Sequence, residues 1–117
     1  VSFLLLKTEY LYMSTRQTYD IIKSTVHSFL PDARILLFGS RARNTFNDQS
    51  DYDLLIVTNG TLAPRIKMNW ESKIRKALIQ TLNAPFDVIL QSNREVQEKK
   101  NLIGHIVYYA YKDAREI

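Results

Sequence analysis

A chain of 117 residues, 45% hydrophobic and 24% charged, fits one globular domain with one core. With no cysteine it has no disulfide, no zinc–thiolate centre and no cysteine nucleophile. A net charge of +4 and a pI near 9.4 favour anionic partners such as nucleotides or nucleic acid, and equally describe a mildly basic solvated surface.

Residues 1–13 are the hardest to interpret. Met13 directly precedes Ser14-Thr15-Arg16-Gln17, whose Ser-x-x-Gln pattern is a helix-capping box. The expectation is an N-terminal extension over 1–13, not native to the protein, and a single domain over 14–117. An added edge strand or an ordered arm are the alternatives for the first segment. Its apolar run from Phe3 to Leu6 lacks the flanks of a signal peptide, and no run reaches the roughly 18 residues of a membrane span, so a cytoplasmic protein is expected.

From Thr15 to Leu30, Tyr19, Ile22, Val26, Phe29 and Leu30 recur at helical spacing, and Pro31-Asp32 closes that helix. Ala33 to Phe38 reads as a buried strand ending at Gly39, followed by a Gly-Ser turn and a short basic helical turn. A polar loop leads to a second strand at Leu54-Leu55-Ile56-Val57. Thr58 to Thr61 breaks the chain, and Pro64 suits the first turn of a helix over about Pro64 to Leu82. Ile66, Trp70, Ile74, Ala77, Leu78 and Leu82 are expected inward on it. Arg65, Lys67, Lys73, Arg75 and Lys76 fall on the other surface, a solvated face or a nucleic-acid contact.

Phe86 to Leu90 forms a third strand. Ser92-Asn93-Arg94-Glu95 is a second capping box, opening a helical tail to the terminus with Leu102, Ile103, Ile106, Val107 and Ala110 as its apolar stripe. Gly104 predicts a break or a tight contact within it. The pattern is a small α/β (α+β) domain, a sheet of three or more strands flanked by helices.

Chemistry concentrates between Leu36 and Val57. Asp51 and Asp53 are two residues apart, so on a strand both side chains face one way, roughly 6.6 Å apart along the backbone. Like charges that close repel by about 3 kcal/mol at an intermediate dielectric, a cost that a cation relieves. Asp87 sits among Phe86 and Val88-Ile89-Leu90, where an ionised group needs a partner: a nearby arginine, or a hard cation shared with the other two acids. Gly39 allows close backbone approach, and a helix start beside it favours phosphate. The Gly-Lys-Ser/Thr of a Walker A loop is absent. His27 and His105 lack ligand spacing and read as surface or packing residues.

Phe38-Gly39-Ser40-Arg41-Ala42-Arg43 followed by Ser50-Asp51-Tyr52-Asp53-Leu54-Leu55-Ile56-Val57 resembles the minimal nucleotidyltransferase family of the DNA polymerase β superfamily. The resemblance covers about residues 14–112, and the third acid of the family falls on Asp87. One departure is Asn44, where the family usually has glycine; Asn tolerates left-handed backbone angles, so the turn can survive.

The resemblance implies a nucleotidyltransferase-like fold and transfer of a nucleoside monophosphate, AMP from ATP or its equivalent from another NTP, to a hydroxyl. Asp51, Asp53 and Asp87 would be the catalytic carboxylates and hold two Mg²⁺ ions. Gly39 and Ser40 would bind the β/γ-phosphates. Arg41 and Arg43 would neutralise the leaving pyrophosphate, or alternatively order the loop through ion pairs. No acceptor-binding domain follows the third strand and the tail. This implies a helical HEPN-type or substrate-binding partner protein, often paired as toxin and antitoxin. The tail (Val107, Tyr108, Tyr109, Tyr111) would be its docking surface or part of the core; a homo-oligomer is also open. Modification of a small molecule and a non-catalytic nucleotide-binding scaffold are the competing expectations.

Overall fold

The computed structural model describes residues 13–47 and 49–117. The extension expected over 1–13 therefore lies outside the described residues apart from Met13, whose side chain packs against the core.

Helix α1 (Thr15–Phe29) begins at the expected capping box: Gln17 N–H donates to Ser14 Oγ at 3.1 Å and Ser14 N–H to Gln17 Oε1 at 2.8 Å. Strand β1 (Arg34–Phe38) runs directly into a one-turn helix α2 (Gly39–Ala42). Strand β2 (Tyr52–Thr58) follows, then helix α3 (Pro64–Leu82), which has Pro64 in its first turn and Asn83 at φ 50° closing it. Strand β3 (Phe86–Ser92) ends on the second capping box, from which helix α4 (Asn93–Lys99) starts.

The four strands are ordered β3-β2-β1-β4, where β4 (Arg115–Glu116) is the C-terminal strand. β1 is antiparallel to β2 and β4, whereas β2 and β3 are parallel. A parallel pair needs a crossover, and α3 supplies it. One face of the sheet, through Ile35, Leu37, Leu54 and Ile56, packs on Ile22 and Val26 of α1 and on Ile74, Leu78 and Leu82 of α3. The other face, through Leu36, Phe38, Leu55 and Val57, packs on Val96 and on Ala110 of helix α5 (Ile106–Asp113). Burial on both faces explains why the central strands read as unbroken apolar runs.

The break expected at Gly104 is present: α4 stops at Lys99, the chain turns through Gly104 at φ 94°, and α5 starts afresh, capped by His105; the expectation that helix runs to the terminus is corrected. The chain then ends in β4, which a two-residue pattern does not announce. Of the expected inward residues, Val107 and Ala110 are buried, but Leu102 (55% exposed), Ile103 (80%) and Ile106 (50%) face outward. Ile66 on α3 is likewise exposed. Among the described residues no helix is long and apolar enough to cross a membrane.

Candidate active site

Register brings the key residues together at one end of the sheet. Phe38 is paired with Asp53, and Asp53 with Asp87, so the end of β1 and the starts of β2 and β3 lie side by side. Tyr52 N–H donates to Pro85 O at 3.0 Å and locks the two parallel starts together. By strand alternation Asp53 shares the face of Leu55, and Asp87 that of Ile89, which is the face covered by α4 and α5. Asp51 lies just ahead of β2. Asp51 and Asp87 are exposed and Asp53 is partly buried.

Gly39 is where strand meets turn. Its φ of 73° is left-handed, and a Cβ built there would overlap Oδ2 of Asp53. Only glycine satisfies both conditions, so the Asp53 carboxylate rests directly on the backbone of the Gly-Ser turn. Asn44 also adopts a left-handed φ of 58°, the conformation expected for an asparagine in place of glycine. Ser40 is half-buried, and its carbonyl accepts from Thr45 N–H at 3.0 Å, which closes the turn.

The acids crowd one another. Burial, then the charges of Asp87 and Asp51, then a hydrogen bond with Asp87 push the Asp53 carboxyl up to about 6, against a lowering pull from Arg43. Among the described residues no three His, Asp or Glu side chains converge as a ready ligand set. What is present is one partly buried carboxylate facing a second and within electrostatic reach of a third. An all-oxygen anionic donor set suits a hard divalent cation, and the two exposed acids are at liberty to rotate toward one. The residues fit such an ion.

The arginines are both engaged. Arg43 Nη1 forms an ion pair with Asp113 Oδ2 of α5 at 2.9 Å. Arg41 donates from Nε and Nη2 to Ser50 O at 3.3 and 3.1 Å, and its guanidinium lies over both the Phe46 and the Tyr52 ring. It is thus turned into the loop ahead of Asp51; contact with a phosphate would require it to leave these partners. A pocket of about 210 Å³ beside Arg41, Phe46, Tyr52 and Tyr19 opens on the Tyr52 face, opposite the Asp53 carboxylate. Both histidines serve the backbone: His27 Nε2 contacts Ala33 O at 2.9 Å, and His105 Nδ1 accepts from Val107 N–H at 3.1 Å.

Sequence reasoning missed Asp113 and the Phe46–Ser50 loop. Asp113 is 70 positions from Arg43, and no pattern connects them. The loop residues carry a weak signal, an arginine and two aromatics flanking a polar run.

Comparison with known proteins agrees with this arrangement. The chain matches the nucleotidyltransferase domain family over residues 19–109. A sequence search of curated proteins found no match. Among solved structures, a variant of the MntA–HpeT toxin–antitoxin is similar with a TM-score of 0.58 at 18% identity, over 85% of this chain and 70% of that chain. A toxin–antitoxin crystallised with AMP-PNP is similar with a TM-score of 0.56 at 20% identity, over 85% and 70% respectively. At such identities these likenesses speak for the fold, a mixed sheet flanked by helices. The matched stretch takes in the Gly-Ser turn, all three aspartates and the first half of α5, and on that match the chain belongs to the nucleotidyltransferase domain family and is a nucleotidyltransferase.

Proposed function

We propose that this chain transfers a nucleoside monophosphate, AMP from ATP, to a hydroxyl on a partner protein, acting with Mg²⁺ as the antitoxin of a HEPN/MNT-type pair in the cytoplasm. The observation that carries the proposal is the seating of Asp53 on Gly39 with Asp87 in register beside it. Phosphate-sized backbone and cation-binding oxygens are thereby brought within one residue's reach.

In this reading Asp51, Asp53 and Asp87 hold two Mg²⁺ ions. The ions supply Lewis acidity at the α-phosphate and lower the pKa of the attacking hydroxyl. Gly39 and Ser40 cradle the β/γ-phosphates. An Asp87 carboxylate oxygen takes the hydroxyl proton as the oxygen–phosphorus bond forms and pyrophosphate leaves. Arg43 exchanges Asp113 for the departing charge, an exchange its exposed ion pair allows at small cost.

Two observations support a protein acceptor. The solved neighbours are described as toxin–antitoxin structures. Leu102, Ile103, Ile106 and Tyr109 also form an exposed apolar patch around the start of α5, on the side of the sheet that carries the acids. Tyr109 and Tyr111 remain candidates for docking, whereas Val107 belongs to the core.

The test is incubation of the chain and the product of its adjacent gene with α-labelled ATP and Mg²⁺, beside an Asp53→Asn control. Label on the neighbour that vanishes in the control is the expected result. Label on neither protein while the complex still forms would replace the proposal with a scaffold role.

A further inference from the structure

We infer that Arg41 is a positioning residue that fixes the loop delivering Asp51, and that it does not bind the triphosphate. The inference rests on the proposed reading of Asp51 as a cation ligand.

The guanidinium is held from three directions. Two of its N–H groups converge on Ser50 O, at 3.3 Å from Nε and 3.1 Å from Nη2. Its Cζ lies 4.6 Å from the centre of the Phe46 ring and 4.1 Å from that of Tyr52. Tyr52 in turn stacks on Phe86, with ring centres 4.9 Å apart and planes 14° from parallel. A continuous column therefore runs from the loop, through α2, to the first residues of β2 and β3.

Its target is the residue immediately before Asp51. Ser50 is further pinned by its N–H to Asn47 O at 3.1 Å and by its Oγ, which accepts from Asn47 N–H at 3.0 Å. Those two bonds are internal to the loop and fix its shape. The Arg41 bonds tie that shape to the helix carrying Gly39 and Ser40 at the Asp51 end of the loop, as Thr45 N–H to Ser40 O does at its start. Asp51 has no strand pairing of its own, so its carboxylate is directed by where Ser50 is held.

Direction separates the two arginines. Tyr52 and Asp53 are consecutive in β2, so Arg41, stacked on Tyr52, lies on the face away from the Asp53 carboxylate. Arg43 is the arginine whose charge reaches Asp53. A planar fork that stacks and donates in parallel is a property of Arg that Lys lacks. Arg41→Lys therefore keeps the charge and removes the fastening.

The experiment measures Mn²⁺ affinity of the full chain by electron paramagnetic resonance, together with kcat and KM for ATP. Variants are Arg41→Lys, Phe46→Ala and Asp51→Asn, with circular dichroism to verify folding. Arg41→Lys is expected to weaken Mn²⁺ binding by about 10- to 100-fold and to lower kcat while KM for ATP stays unchanged. A raised KM with unaltered kcat and Mn²⁺ affinity would make Arg41 a phosphate ligand and overturn the inference, as would wild-type behaviour throughout. Should Arg41→Lys not fold, Phe46→Ala decides: Phe46 is 43% exposed, so its loss removes one of the two rings without emptying the core. A weaker Mn²⁺ affinity in that variant supports the inference, and an unchanged one overturns it. Asp51→Asn separates the two layers. If it leaves Mn²⁺ affinity unchanged, the ligand reading of Asp51 fails and the inference falls with it. If it weakens binding while Arg41→Lys does not, the inference alone fails.

Discussion

Gly39 meets two independent demands, a left-handed φ of 73° and contact with Asp53 Oδ2 where a Cβ would stand. Gly39→Ala is expected to lose about 1–2 kcal/mol from the backbone angle alone, with Asp53 displaced and nucleotidyl transfer abolished. Urea melts and the labelled-ATP assay check this; wild-type stability and turnover in the variant would contradict it. This residue was legible in the sequence through its combination with the aspartates that follow, since a strand-Gly-Ser-helix junction alone is also a plain turn in many folds. The three aspartates were legible by their spacing and by Asp87's intrusion into an apolar run. The destinations of the arginine side chains were not. Arg41 and Arg43 are equivalent as letters, and only the alternation of Tyr52 and Asp53 and the arrival of α5 send them to different partners.

Helices and strands were read from periodicity wherever both ends carried chemistry. The start of α4 is the strongest case. Ser92 Oγ accepts from Glu95 N–H at 3.1 Å, and Glu95 Oε1 accepts from Ser92 N–H at 2.9 Å. Glu95 also pairs with Lys67 of α3 at 2.5 Å and with Lys99 at 3.6 Å, which ties the crossover helix to the tail. Burial alone would raise the Glu95 carboxyl, but hydrogen bonds from Lys67 and Ser92 and the two lysine charges outweigh it and pull it down to about 2. A depressed carboxyl favours the folded state at any pH above its ordinary value of 4.5 and loses that advantage as pH falls toward about 2. The urea midpoint of the wild type is therefore expected to exceed that of Glu95→Gln at neutral pH, with the gap closing between those two values. A gap independent of pH would contradict this. Beyond α4, apolar spacing alone does not reveal where one helix ends and the next begins: Leu102 and Ile103 lie in the turn between α4 and α5. Leu102, Ile103 and Ile106 fit a core stripe as letters, yet the sheet face is already covered by Val96, Val107 and Ala110.

The whole molecule is a two-faced sheet with one functional end. One face is filled by α1 and α3 and holds the core; the other carries the acids beside α5 and an exposed apolar patch. The fold class was legible from the sequence. The fourth strand was not, because Arg115–Glu116 is held by pairing with β1 and by the Arg34–Glu116 ion pair at 2.7 Å, both long-range contacts. The proposed function requires triphosphate and divalent cations to meet between Gly39-Ser40 and the three aspartates. The anomalous difference map of a crystal grown with Mn²⁺ and a non-hydrolysable ATP analogue decides whether they do. The expected map shows Mn²⁺ peaks bridging Asp53 and Asp87 to phosphates seated on Gly39. Peaks elsewhere on the chain, or nucleotide bound away from that turn, would contradict it.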